Sequence, residues 1–235
     1  MLRVKILYNK IGRRFEFEII MSKPQSKILI KWAPEFAYII GLITTDGNLS
    51  SDKRHIHFTS KDKELVLKFK KILKLTNKIG KKSRGGNKIK KYYVIQFGDV
   101  NFYKFLLSIG LMPNKTKILN DIKIPKQYFF DFLRGHFDGD GSFYSYWDKR
   151  WKSSLMFYTT FVSASKQHIL WLRKSIKQII NLNGHITHAK KSTIYQLKYA
   201  KNESKILLKK IYYSDKIPCL RRKRLKIFNI LDNIN

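Results

Sequence analysis

Cysteine is almost absent from this chain: Cys219 is the one cysteine in 235 residues. A single thiol can form neither a disulfide within the chain nor a cysteine zinc cluster, which excludes disulfide-stapled folds and predicts an intracellular protein. Long apolar runs are missing too: no segment approaches the ~18 residues of a transmembrane helix, and the N-terminus has no apolar signal-peptide core. We therefore expect a soluble protein without a membrane partner.

Acidic side chains are scarce as well: 16 Asp and Glu oppose 49 Lys and Arg, which gives a net charge of +33. Such an excess implies a polyanionic partner. The basic residues alternate with aromatic and strand-forming residues and do not gather on one amphipathic helix, which favours nucleic acid over a membrane surface. On charge alone, a structural RNA-binding role stays open.

Two of the few acids mark an internal repeat. The stretches at residues 36–49 and 129–144 align so that Asp46-Gly47 matches Asp140-Gly141 and Gly41 matches Gly135. A glycine inside a helix costs roughly 1 kcal/mol relative to alanine, so a matched pair predicts that the two helices pack closely, small face against small face. Their terminal carboxylates would then converge into a site for a hard divalent cation.

At these residues the chain resembles the LAGLIDADG homing endonuclease family. The nine-letter motif falls on IIGLITTDG (39–47) and LRGHFDGDG (133–141), and its metal-binding eighth position falls on Asp46 and Asp140. At the sixth position Thr44 replaces an acid that the second copy keeps, and we interpret this as tolerated variation.

The resemblance implies a metal-dependent site at the two motifs. Asp46 and Asp140 would bind Mg²⁺, and the backbone carbonyls of Thr45 and Gly139 would add ligands. Each acid would serve one scissile phosphate, so that a monomer with two motifs makes a double-strand break.

The hydrophobic pattern predicts an α+β fold built from two copies of one unit. After each motif helix come two strands, an amphipathic helix, two more strands and a helix, which we interpret as a repeated α-β-β-α-β-β-α order. The resemblance implies that the motif helices pack at the centre and that two antiparallel sheets form a saddle over DNA. We divide the chain into an N-terminal extension with a strand pair (1–30), a first repeat (31–122) and a second repeat (123–235).

Basic and polar residues on the strands are the predicted DNA contacts, because a two-stranded ribbon fits the major groove and presents alternate side chains on one face. In the first half these residues are Ser60, Lys82, Arg84, Asn87, Lys88, Lys90 and Gln96, and in the second half Ser163, His185, Thr187, His188, Lys190, Lys191 and Gln196. A solvated edge that uses lysines against aggregation is the alternative for any one residue.

Two lysines are candidates for the solvent network around the metals. Lys61 follows the strand HFTS, and Lys115 lies in LMPNKT. Aligning Pro113 with Pro218 places the second-half counterpart of Lys115 near Arg221 and Arg222. Each lysine fits an ordinary phosphate contact as well as a catalytic role.

The six histidines do not predict a metal centre. The close pairs His55/His57 and His185/His188 have neither helical spacing of four nor a cysteine partner. We interpret His136, within the second motif, as a packing residue or as a neighbour of the metal ligands.

The favoured function is a site-specific homing endonuclease that cuts both strands of a long asymmetric double-stranded DNA target, associated with intron homing. A maturase that uses the same fold to bind intron RNA and assist splicing is the strongest alternative, since it would not need the acids. A catalytically inactive DNA-binding protein is the third.

Overall fold

In a computed structural model of the chain, the described residues are 4–11, 14–21, 26–83, 89, 91–150, 154–189 and 192–232. The first element is an antiparallel hairpin of β1 (Val4–Ile11) and β2 (Arg14–Met21). Beyond it, Ile28 is buried, and the backbone N–H groups of Lys27 and Ile28 donate to the Asp99 carboxylate. The boundaries of the three predicted segments stay a prediction.

The first half follows the predicted order of elements. These are α1 (Pro34–Asp46), β3 (Gly47–Leu49), β4 (His55–Ser60), α2 (Lys63–Ile72), β5 (Gly80–Lys82), β6 (Tyr92–Gly98) and α3 (Val100–Ser108). Pro34 occupies the first turn of α1, where its missing N–H costs no hydrogen bond. The four strands form one antiparallel sheet in the order β3-β4-β6-β5.

The second half repeats this order and adds one helix. A single 3₁₀ turn (Lys126–Tyr128) leads into α4 (Phe129–Asp140), β7 (Ser142–Trp147), β8 (Leu155–Ser163), α5 (Lys166–Ile180), β9 (His185–His188), β10 (Tyr195–Tyr199), α6 (Lys201–Ile211) and α7 (Arg221–Asp232). The sheet order is β7-β8-β10-β9, the counterpart of the first sheet. The α+β fold of two α-β-β-α-β-β-α repeats is thereby confirmed.

Each sheet buries one face under its own helices and leaves the other open. Strand β4 alternates half-buried and buried side chains, and its buried Phe58 stacks on Phe69 of α2 with ring centroids 4.5 Å apart. In the second half Phe161 of β8 packs edge-on against Phe137 of α4. Burial of one face only is what alternating strand patterns predict.

No helix within the described residues has the length and apolar character needed to span a membrane.

Candidate active site at the crossing of the two motif helices

Helices α1 and α4 touch through their backbones. A Cβ added at Gly41 would lie 2.1 Å from the carbonyl oxygen of Phe132 and 2.9 Å from the Cα of Gly135. A Cβ added at Gly135 would lie 2.0 Å from the carbonyl oxygen of Tyr38. No side chain larger than hydrogen fits between the helices here, so the predicted packing of small face on small face is confirmed.

The crossing brings the C-terminal ends of both helices together. Helix α1 ends at Asp46 and α4 at Asp140, and each is followed by a glycine in extended conformation. A Cβ at Gly139 would lie 2.0 Å from the Thr45 hydroxyl oxygen and 3.3 Å from Asp46 Oδ2, so the Asp46 carboxylate lies against the last turn of α4. The two carboxylates and the negative ends of the two helix dipoles give this point a negative electrostatic potential.

Two matching lysines, the buried Lys115 and the half-buried Lys223, flank the carboxylates. Lys115 is 8% exposed, and its ammonium donates a hydrogen bond to the carbonyl of Gly47. Lys223 donates to the carbonyl of the matching Gly141 at 2.6 Å and to that of Phe137 at 2.7 Å. Each ammonium therefore anchors the turn that leaves the motif of its own half.

Burial also lowers the pKa of both lysines. Loss of solvent lowers the pKa of Lys115 to about 8, although the negative charges of Asp46 and Asp140 oppose the shift. The pKa of Lys223 falls to about 8 for the same reason, opposed chiefly by Asp138. Both lysines thus have a pKa well below the ordinary lysine value, in electrostatic contact with the carboxylates.

The sequence placed the counterpart of Lys115 near Arg221 and Arg222, and the structure corrects this to Lys223. Arg222 turns away and forms a two-pronged ion pair with Asp62, both N–O distances being 2.7 Å. The lysine follows Pro113 by two positions in the first half but follows Pro218 by five in the second, because the second loop is three residues longer. Aligning the prolines therefore misplaced it.

Asp138, at the sixth position of the second motif, is held by three hydrogen bonds within the protein. Its buried carboxylate accepts hydrogen bonds from Tyr38 Oη at 2.9 Å, Tyr212 Oη at 3.0 Å and the Leu220 backbone N–H at 2.6 Å. Burial raises the pKa of Asp138, and these donors oppose that rise. The bond to Leu220 secures the segment that carries Lys223. In the first motif Thr44 bonds to the carbonyl of its own helix.

The chain next to each lysine docks on the opposite half. Beyond Lys115, the Leu119 carbonyl accepts from Ser165 Oγ and the Asn120 carbonyl from His168 Nδ1 at 2.9 Å, both at the start of α5. The segment next to Lys223 docks on the start of α2 through the Arg222 ion pair described above. Each lysine therefore depends on both halves for its position.

His136 packs against His168, with their Nε2 atoms 3.1 Å apart. Because His168 Nδ1 donates to a carbonyl, the Nε2 of its neutral ring has no hydrogen and must accept from His136 Nε2. Nδ1 of the neutral His136 ring then has no hydrogen, and it is buried without a hydrogen-bond partner. Burial lowers the pKa of both rings, that of His168 to about 4. By the motif and strand alignments, Leu42 and Leu65 occupy these places in the first half.

On the open face of the first sheet, the structure brings together Lys82, Gln96 and His57. Gln96 pairs with His57 on the neighbouring strand, and Lys82 pairs with Tyr92. Tyr92 and Gln96 are four residues apart in one strand, so both pairs lie on the same face of the sheet. Lys61 is exposed at the same edge, with its ammonium over the Tyr92 ring at 5.4 Å from the centroid.

In the second sheet His185, Thr187 and Gln196 share the open face, since Thr187 pairs with Gln196. His188 lies on the opposite side, where it stacks on Tyr195 at 4.3 Å between centroids.

Two predicted DNA contacts serve instead as helix-start residues. Ser60 is 7% exposed on the core side of its sheet, and its hydroxyl accepts from the backbone N–H of Asp62 at 3.2 Å. Ser163 makes the matching bond to Ser165 at 3.1 Å. Ser60, Ser163 and His188 thus lie away from the open sheet faces, and their contact with DNA stays a prediction. Outside the described residues lie Arg84, Asn87, Lys88, Lys90, Lys190 and Lys191.

Comparison with known proteins agrees with this geometry. Residues 33–110 match the family model described as a LAGLIDADG-like domain. No curated protein matches the chain. Residues 33–110 are thus a LAGLIDADG-like domain, and the solved structures described next show the two-repeat LAGLIDADG fold over about 86% of the chain, as the two motifs led us to expect.

Solved structures with this fold include DNA complexes. The I-LtrWI LAGLIDADG homing endonuclease bound to target DNA is 12% identical, with a TM-score of 0.57 over 86% of this chain and 90% of that one. The LAGLIDADG meganuclease I-AabMI bound to uncleaved DNA is 16% identical, with a TM-score of 0.56 over 86% and 91%. The N-terminal LAGLIDADG domain of DUF199/WhiA is 19% identical, with a TM-score of 0.51 over 79% and 85%.

Proposed function

We propose that this protein is a metal-dependent homing endonuclease that cuts both strands of a specific double-stranded DNA site. The observation that carries the proposal is the meeting of Asp46 and Asp140 at a backbone-to-backbone helix crossing, flanked by the buried Lys115 and the half-buried Lys223. A helix pair that served only as a core would not need a lysine buried beside this crossing, because burying charge is costly.

The donor set at the crossing fits a hard divalent cation. Among the described residues there is no group of three or more His, Cys, Asp and Glu side chains that could hold a metal, so main-chain or water oxygens must complete the coordination. Asp46 and Asp140, with the backbone carbonyls of Thr45 and Gly139, would bind Mg²⁺, which prefers a few carboxylates and keeps several waters. When bound, the metal would activate water and neutralise charge at the scissile phosphate.

The lysines would act on the solvent around the phosphate. Because burial lowers the pKa of Lys115 and of Lys223 to about 8, either lysine would exchange a proton with nearby water more readily than an exposed lysine would. Lysines have also been replaced in pairs elsewhere in this fold, in a double lysine-to-alanine mutant of I-SmaMI. Lys61, exposed at the sheet edge, fits a phosphate contact better than a role in the reaction.

The duplex would lie across the two open sheet faces, with the +33 charge supplying sequence-independent attraction to phosphates. Unlike halves would read unlike half-sites, so the target would be asymmetric. Because one chain carries both carboxylates, a monomer would make the double-strand break. The structures of I-SmaMI bound to an uncleaved DNA target in the presence of calcium ions and of I-LtrWI bound to target DNA support this arrangement.

The fold alone does not determine this function, since DUF199/WhiA shares it. The test is to select duplexes from a random-sequence pool by binding in EDTA, and then to add Mg²⁺ to plasmids that carry a selected site. Wild type should produce linear plasmid, whereas Asp46→Asn and Asp140→Asn should bind but not linearise it. Glu35→Gln is the matched control, because Glu35 is exposed at the opposite end of α1.

Tight binding by wild type with neither nicks nor breaks in Mg²⁺ would overturn the nuclease proposal. In that case intron RNA binding and splicing would be assayed next.

A further inference from the structure

The open faces of the two sheets differ sharply just beyond the motifs. By the Asp-Gly alignment, Ser50 corresponds to Tyr144, and by the strand pairing, His55 corresponds to Tyr158. The first pair closes a tight turn through the Ser50 N–H and the His55 carbonyl, 2.9 Å apart. The second pair lies within a longer hairpin that continues to Trp147 and Leu155.

Three tyrosines therefore form a row on the second sheet with no equivalent in the first, and we call Tyr144, Tyr146 and Tyr158 the tyrosine row. The Tyr144 and Tyr158 rings stack at 5.3 Å and 16°, and those of Tyr146 and Tyr158 at 6.4 Å and 5°. Tyr144 is 38% exposed and Tyr146 is 44% exposed, and Tyr158 is half-buried beside them. Grouped exposed aromatics of this kind usually mark a binding surface.

The position and charge of the row indicate a DNA duplex as its occupant. Strand β7 leaves the carboxylate site directly, so Tyr144 and Tyr146 lie roughly 13 and 20 Å beyond Asp140 at about 3.3 Å per residue. At 3.4 Å per base pair, that distance is about four to six base pairs along a duplex centred on the site. A chain of net charge +33 is complementary to such a duplex.

The ring arrangement favours a duplex over unpaired bases. Tyr158 is half-buried and stacks on both Tyr144 and Tyr146, so the middle ring of the row offers less open face to a single-stranded base than an isolated tyrosine would. In a major groove, the apolar feature that an aromatic edge can contact is the 5-methyl group of thymine.

We propose that the tyrosine row selects thymine methyl groups in the second half-site, whereas the polar Ser50 and His55 of the first half read hydrogen-bonding groups. This inference rests on the proposed function, since it requires a duplex across the open faces. It gives the asymmetric target a direction: thymines concentrate about four to six base pairs from the centre on the side bound by the second half.

The test uses duplexes selected from a random-sequence pool by wild type and by two swap variants, Tyr144→Ser and Tyr158→His. These substitutions place the first half's own residues in the second sheet. Wild-type sites should be enriched in thymine on one side of the centre, and the enrichment should weaken in both variants. In the wild-type site, thymine is then replaced by deoxyuracil, which lacks only the methyl, in one half at a time.

Deoxyuracil in the thymine-rich half should weaken wild-type binding about fourfold for each contacted methyl, by the free energy of burying one such group. The same replacement in the other half is the control and should have little effect, and the swap variants should lose the difference between halves. Equal, negligible effects in both halves while Mg²⁺-dependent cutting persists would overturn the inference and leave the proposed function intact. Preference for single-stranded RNA, lost in Tyr144→Ser, would instead assign the row to base stacking.

Discussion

Replacing Gly41 by alanine tests whether contact between the motif helices holds both the fold and the site. In an isolated helix this change would stabilise by about 1 kcal/mol. Here the new methyl would lie 2.1 Å from the Phe132 carbonyl oxygen and 2.7 Å from the His136 nitrogen. These are backbone atoms that cannot rotate away, so the helices must separate by roughly 1 Å to restore ordinary van der Waals contact.

Overpacking of this kind costs about 1–3 kcal/mol, and a backbone clash belongs at the upper end. Urea unfolding should therefore show a loss of about 2–3 kcal/mol, and thermal unfolding a fall in Tm of roughly 4–12 °C for a chain of this size. Gly80→Ala is the matched control, since its methyl would meet only Val94, 3.4 Å from Cγ1 and 3.9 Å from the carbonyl oxygen, which are ordinary contacts. A Gly41→Ala protein as stable as wild type would refute the close packing and with it the convergence of the carboxylates.

Three further predictions concern buried polar groups. Asp138→Asn should lower stability by about 1–3 kcal/mol in urea unfolding, because an amide cannot accept from three donors as a carboxylate does. His136 and His168 have lowered pKa values in the folded state, so the unfolded chain binds more protons and stability should fall as pH drops from about 6.5 towards 4, by up to about 1.4 kcal/mol per pH unit for each ring. The double change of these histidines to leucine should flatten that slope, and an unchanged slope would contradict the assignment. Cleavage rates should change with pH around 8 in wild type, and Lys115→Met with Lys223→Met should remove that step and slow cutting by about 10²-fold or more while binding persists.

The elements that local patterns predict well are the ones confirmed. The two motif helices end at Asp46 and Asp140 as the matched Asp-Gly pairs predict, and the helices and strands of each half follow in the predicted order. Helix and strand periodicity follow from backbone geometry and need no knowledge of distant partners. The matched glycines also predicted one long-range contact, that between the two motif helices, because glycine at the same place in two helices allows their backbones to approach closely.

What local patterns missed were residues whose roles depend on the opposite half or on packing. Lys223 was misplaced because a loop three residues longer shifts it relative to Pro218. Ser60 and Ser163 have the polarity of groove contacts, yet each is the last residue of its strand and bonds to the start of the next helix. In both cases the sequence shows the right chemistry, but the direction of the side chain depends on packing.

The sequence by itself determined the repeated α-β-β-α-β-β-α order, the place of Asp46 and Asp140 at matched helix ends, and a net charge of +33 that predicts a polyanionic partner. Only the tertiary structure decided that Lys223 matches Lys115, that Asp138 secures the segment before it, and that the second sheet presents tyrosines where the first turns back. The physical reason is range: periodicity and composition act between neighbours along the chain, whereas burial, pKa and side-chain direction arise where the two halves meet.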